Sequence, residues 1–272
     1  MKKIYNKLII TLIFFISVFV LKSSVKANTI EKVDMNVYID KNGNGNITEV
    51  WEAILTEGTE GYRRFSNLGM KSISNFSVSD DTGAEYVNNI WWNTEASFSS
   101  KAYRCGINIV KNGEELCWGI SKYGSRRYIL KYDIKNLVTQ YKDCQGIYFN
   151  FFNIDQDVNN VKITIKSDYD FSDKTETVWN FGNKGNFSFD NGSIVLNSNG
   201  KLSQNHYFST LIKFGQDYFK TQDNSSGYFD SIKKEAFRSE RSRKWVWLEL
   251  FCWRFRNIFV YFCFGQNFSY YF

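Results

Sequence analysis

Proline is absent from all 272 residues, and histidine occurs once, at position 206. The first absence removes Pro-rich linkers and polyproline recognition segments from consideration. The second removes any metal site built on several imidazoles, and leaves a serine triad only His206 to work with. His206 stands at the head of an apolar run, where it reads as a strand or surface residue. No G-x-S-x-G elbow, phosphate-binding loop or dinucleotide glycine fingerprint is found. Cysteine is sparse: Cys105, Cys117 and Cys144 in the body, then Cys252 and Cys263 near the end. No cofactor is expected.

Charge of one sign is also missing where it matters. Residues 1–27 hold five Lys and no acid, and residues 233–272 hold eight basic residues against three acids. The remainder, 28–232, carries 21 basic against 25 acidic residues, so the basic isoelectric point belongs to the two ends. A mildly acidic body argues against nucleic acid, whose binding needs clustered positive charge.

The first end reads as a signal peptide, residues 1–27. Lys2, Lys3 and Lys7 precede an apolar run from Leu8 to Leu21, and Val25-Lys26-Ala27 offers small residues for cleavage. The run falls short of the roughly 20 residues that span hydrocarbon. The body is therefore expected outside the cytoplasmic membrane. The other end, residues 233–272, is crowded with Trp, Phe, Cys and Arg and keeps neither a helical nor a strand period. Arg254 and Arg256 each cost about 2.5–3.5 kcal/mol at the centre of a membrane helix. With AT-rich codons, the +1 frame from Arg241 onward can encode an apolar, Gly-lined stretch of about 20 residues, the length of a span. The tail is accordingly expected to be a frameshifted membrane tether; a genuine aromatic tail is the alternative.

Between the ends the pattern is all strand. In "VDMNVYID", Val33, Met35, Val37 and Ile39 share one face. "YILKYDI" (128–134), "VKITIKS" (161–167) and "HYFSTLIKF" (206–214) are further strands, and "IYFNFFN" (147–153) is apolar enough to be central. Asn-Gly pairs at 42–43, 44–45, 112–113, 191–192 and 199–200 mark hairpin turns. Only 136–143 and 231–237 look helical. The expectation is an all-β, antiparallel sandwich over 28–232, with a sub-boundary near 155–160.

The stretch "DKNGNGNITEVWE" (40–52) resembles a calcium loop at Asp40, Asn42 and Asn44. The twelfth position, which must be a bidentate Glu, is Trp51. The flanks alternate as strands, so a turn is expected. In "CGINIVKNGEELC", a turn at Asn112-Gly113 would set Asn108 against Cys117 and leave Cys105 roughly 10 Å from its partner. A disulfide needs Cα atoms within about 7 Å, so a 105–117 bridge requires a bulge; buried free thiols are the alternative.

Few residues suggest a ligand. Trp91 and Trp92, with Trp118 and Trp179, could form an aromatic platform for sugars, although core filling is their commoner use. Arg63 and Arg64 in "GYRRF" suit an anion or partner contact, or a salt-bridged strand end. Asp80, Asp81, Asp155, Asp157, Asp168 and Asp170 are read mostly as solvated loop acids.

"DMNVYIDKNGNGNITEVWE", "GYRRF", "CGINIVKNGEELCWGI", "YILKYDIKNLVTQYKDCQGIYFNF" and "VWNFGNKG", in this order, resemble the bacterial membrane proteins grouped as domain of unknown function 2207. The similarity runs from about residue 28 to 232. It implies an exported β-rich region followed by membrane helices, and it implies no catalytic residues. The leading expectation is thus a non-catalytic envelope ectodomain acting through protein or cell-wall contacts. A carbohydrate-binding module or glycan-active enzyme is the alternative.

Overall fold

The computed structural model describes residues 28–242, except 184 and 205. Residues 1–27, where a signal peptide is expected, and the tail from residue 243 lie outside the described residues. β1 (Thr29–Ile39) and β2 (Gly45–Leu55) form the first hairpin, followed by β3 (Glu60–Ser66), β4 (Ser72–Asp80) and β5 (Val87–Trp91). A short helix, α1 (Phe98–Lys101), leads into β6 (Arg104–Val110), β7 (Gly113–Gly119) and β8 (Gly124–Lys135). Next come β9 (Thr139–Gln140), β10 (Gln145–Asn153), β11 (Val161–Ser167) and a second short helix, α2 (Phe171–Lys174). β12 (Thr175–Phe181), β13 (Asn186–Asp190), β14 (Ser193–Asn197), β15 (Tyr207–Phe214) and β16 (Asp223–Asn224) complete the strands. Residues 229–242 are helical and are called α3.

The strands form three sheets. The largest has the order β13-β14-β11-β1-β2-β8-β4; the others run β12-β15-β10-β9-β16 and β3-β7-β6-β5. Pairing is antiparallel except for β1 with β11, β5 with β6 and β9 with β16. The large sheet is one layer, and the two smaller sheets together form the second. Its alternation is plain in β1, where Val33, Met35, Val37 and Ile39 are all buried, and the same face of β2, β8 and β11 continues the layer. Contacts between layers are aromatic: Trp51 lies 5.5 Å from Trp118 and 5.7 Å from Phe152, and Phe65 lies 5.5 Å from Tyr132. Each such fully buried side chain contributes about 1.5–3 kcal/mol.

The loop 40–44 is a turn. Its own amides occupy the Asp40 carboxylate: Oδ1 accepts from the backbone of Asn42 (2.8 Å) and Asn44 (2.9 Å), and Oδ2 from the Asn44 side chain (3.1 Å). Gly45, read as part of a second turn, instead opens β2 beneath Leu137, whose Cδ2 a Cβ would meet at 2.7 Å. That packing also explains why 136–143 is not helical. Asn136 takes the left-handed conformation (φ 57°), and Leu137 and Val138 are buried under the first hairpin, where Val138 N donates to Gly43 O (2.9 Å). The helix expected over 231–237 is present within α3.

The turn of the cysteine hairpin lies one residue earlier than predicted, at 111–112, which shifts the pairing by two: Asn108 faces Glu115 instead of Cys117. Val110 pairs with Gly113, and Cys105 with Trp118. Gly113 serves close approach instead of the turn: a Cβ there would lie 2.0 Å from Phe65 O on β3. Cys105 and Cys117 are one register step apart, hence on opposite faces. Cys105, Cys117 and Cys144 are buried free thiols, and burial pushes Cys105 up to about 11 and Cys144 to about 12.

Asp80, read as a loop acid, is buried. It pairs with Arg126 (2.8 Å) and accepts from Thr82 N (2.9 Å), Thr82 Oγ1 (2.6 Å) and Tyr86 OH (3.3 Å). Burial alone would raise its pKa, but the Thr82 bonds, Arg126 and Tyr86 more than reverse this and hold it below the ordinary value. The native carboxyl then binds its proton less tightly than the unfolded one. The stabilisation is complete above the unfolded pKa of about 3.9 and is lost as pH falls through the lower folded value. Asp80→Asn should lower stability at neutral pH and flatten the acid limb. Denaturant midpoints from neutral pH to about 2.5, below the carboxylate range, check this; an unchanged acid limb would refute it.

Candidate functional site

The two arginines of "GYRRF" part ways, as neighbours on a strand must. Arg63 on β3 is 1% exposed and reaches the core. Its Nε donates to Glu49 Oε1 on β2 (3.3 Å), NH1 to Asn153 Oδ1 on β10 (3.0 Å) and to Arg64 O (3.0 Å), and NH2 to Phe151 O on β10. Its guanidinium stacks 4.5 Å from the Phe65 ring and 5.1 Å from Phe152. Glu49, fully buried, also accepts from Trp51 Nε1 (2.7 Å) and from Tyr132 OH. Burial first, and then the Glu49 carboxylate, keep the Tyr132 hydroxyl protonated far above the usual phenol range. This cluster ties all three sheets together through one ion pair. Its donors and acceptors are spent on one another, so it is a structural staple and presents nothing to a ligand. No sequence signal marked Glu49, because its burial depends on two sheets that arrive later in the chain.

The tryptophan pair is also split. Trp92 is buried; its Nε1 donates to Glu60 (2.6 Å), which also pairs with the buried Lys101 (2.8 Å). Trp91 is 66% exposed. Ile90 beside it has φ 65°, its N–H taken by Asn88 Oδ1 (2.7 Å), where β5 slips against β6. Trp91 and Trp92 therefore do not share a platform. Trp118 is core, and Trp179 lies under α3 with Lys233 Nζ 4.6 Å from its ring.

What the structure does build is an open cleft of about 1010 Å³. Its floor is the face of β10 and β15, with Tyr148, Asn150, Tyr207 and Ser209. One wall is the end of β3 and the loop 66–71; the other is 223–239, which continues into α3. Arg64, the outward member of its pair, stands on the first wall, 3.9 Å from Glu115. Across the cleft Lys71 Nζ lies 3.7 Å from Asp223, whose Oδ2 accepts from Thr139 (2.6 Å). Burial lowers the Lys71 pKa despite Asp223. Asp155, which accepts from Tyr62 OH (3.3 Å), His206 and Tyr228 complete the rim, with Glu235 and Ser231 on α3. The volume lies at the upper end of ligand sites, roughly 300–1,000 Å³. Its hydroxyls, amides and tyrosine faces suit a polar chain with exposed C–H edges. Sequence reasoning singled out only Arg64, Asp155 and His206 among these residues. The four segments that meet here lie as far apart in the sequence as positions 64 and 239.

Among the described residues no group of three or more His, Cys, Asp or Glu could hold a metal, and no helix is long and apolar enough to cross a membrane.

A family model described as "Predicted membrane protein (DUF2207) N-terminal domain" matches residues 29–214. No curated protein matches the chain. Among solved structures, yeast LTA4 hydrolase in complex with bestatin aligns at TM-score 0.45 and 10% identity, over 71% of this chain and 30% of that one. A putative nutrient binding protein from Legionella pneumophila aligns at 0.41 and 8%, over 69% and 67%. An M1 zinc metallopeptidase from Deinococcus radiodurans aligns at 0.34 and 8%, over 69% and 42%. This chain thus spans less than a third of the yeast protein's length.

Proposed function

The chain belongs to the DUF2207 family of predicted membrane proteins, and we propose that its β body is an envelope ectodomain that recognises a polar cell-wall polymer in the cleft. The observation that supports this is the cleft's make-up. Tyrosines stand among serine and asparagine side chains, and the fully buried ion pair Glu49–Arg63 is sealed away from it. Tyrosine supplies contact area at small entropic cost, and hydroxyls and amides supply adaptable hydrogen bonds. Binding of the full-length chain to isolated cell-wall sacculi tests the reading. Ser231→Trp, on the exposed side of α3, should block the cleft and reduce sedimentation with sacculi severalfold, with thermal unfolding unchanged. Equal sedimentation of both proteins would refute it.

A second reading, a glycan-active enzyme, draws on Asp155 and Glu235, two carboxylates that line the same cleft. A pair of flanking carboxylates is what glycoside hydrolysis uses. Release of soluble sugar from sacculi that disappears in Asp155→Asn or Glu235→Gln would favour this reading over the first.

A further inference from the structure

We propose that β13 is a self-pairing edge through which two copies of this chain associate. β13 ends the seven-stranded sheet and, among the described residues, pairs only with β14. All five of its residues, NFSFD, are exposed. Phe187 stands opposite Leu196 and Phe189 opposite Ile194. Leu196 and Ile194 are fully buried, so the phenylalanines lie on the core-facing side of the sheet, where the second layer no longer covers them. They are 40% and 41% exposed, with ring centroids 6.1 Å apart. Natural edges are usually blunted by Lys, Pro or a cover; β13 has no Lys or Pro, and among the described residues no strand pairs its outer edge.

The occupant follows from the strand's own symmetry. Asn191 and Gly192 form a two-residue turn with positive φ at both positions (47° and 74°), joining Asp190 to Ser193. The residues flanking such a turn exchange hydrogen bonds, and bonding alternates along the strand. Asp190, Ser188 and Asn186 therefore point their backbone groups at β14, and Phe187 and Phe189 point theirs outward. An antiparallel copy centred on Ser188 sets Phe187 against Phe189 of the partner subunit as a hydrogen-bonded pair, repeated by the two-fold axis. Asn186 then meets Asp190 of the partner subunit, an amide donor against a carboxylate. Moving the two-fold axis two residues toward the turn would instead oppose the two Asp190 carboxylates. An isologous contact sets the same strand against itself, and here that places aromatic against aromatic and amide against carboxylate on both sides of the axis.

The contact is small. A phenylalanine buries about 150–250 Å² in full, and these are less than half exposed. Four of them and two short backbones fall below the roughly 1,200 Å² of a stable interface. Pairing should thus need the high effective concentration, on the order of millimolar, that confinement gives. It does not depend on the cleft reading.

The Ser188 pair on the axis is a non-hydrogen-bonded one, with Cα atoms about 4.5 Å apart, within disulfide range. In membranes containing the full chain, Ser188→Cys should cross-link under mild oxidation to a species of twice the mass, severalfold faster than wild type or exposed Ser99→Cys. These two controls carry any background from Cys252 and Cys263. Adding Phe187→Lys and Phe189→Lys should abolish the cross-link with unfolding unchanged, since both rings reach solvent. Cross-linking no faster than in Ser99→Cys would overturn the proposal. So would an adduct with a different protein, which would make β13 a docking edge for a foreign strand.

Discussion

Arg63→Met should destabilise the domain by about 3–5 kcal/mol, the cost of breaking a buried pair from one side. Methionine keeps much of the stacking on Phe65 and Phe152 but removes the cation and every donor. Glu49 is then buried with only the Trp51 indole and the Tyr132 hydroxyl, and the Phe151 and Asn153 oxygens on β10 lose their partner. For a domain of this size, each kcal/mol shifts the melting temperature by about 2–4 °C, so a fall of roughly 10 °C is expected. Glu49→Gln added to Arg63→Met should recover a large part of the loss, because the stranded charge disappears. A denaturant double-mutant cycle measures this. Strict additivity would show that the two side chains are not energetically joined.

Trp51→Ala should cost a similar amount, about 3–5 kcal/mol for a large aromatic removed from a core. The indole sits where all three sheets meet, in contact with Trp118 and Phe152. Its loss opens a cavity that the flanking strands, fixed by their ladders, cannot close. Trp51→Phe separates packing from polarity. It retains a ring and much of the packing while losing the Nε1–Glu49 bond (2.7 Å), worth about 1.5–3 kcal/mol for a charged acceptor. Denaturant midpoints of the two variants should therefore differ clearly, and near-UV circular dichroism should weaken in Trp51→Ala. Equal midpoints would mean the hydrogen bond, and not the packing, is what the residue supplies.

The strands could be read from the sequence because alternation is local. β1, β8, β11 and β15 lie where their period-2 patterns put them, and the family resemblance follows the same segments. Pairing between distant strands could not be read. The parallel contact of β1 with β11 and the close approach of Gly113 to β3 both depend on segments far apart in the chain. The second displaced the cysteine register. Residues 136–143 carry a helical pattern, but Leu137 and Val138 gain more by covering the first turn, and tertiary packing won. The site was even less legible. "GYRRF" offered two arginines with no sign of which would turn inward. The cleft is assembled from loop, sheet face and helix, none of which carries a motif of its own. The β13 edge is a five-residue strand whose importance lies in what fails to cover it.

The proposed ectodomain faces outward from the membrane, and labelling of intact cells producing the full chain with a membrane-impermeant amine reagent tests this. Lys131 and Lys162, both exposed on the outer face of the large sheet, should be modified to the same extent before and after permeabilisation. Labelling that appears only after permeabilisation would place the body on the inner side and contradict the account.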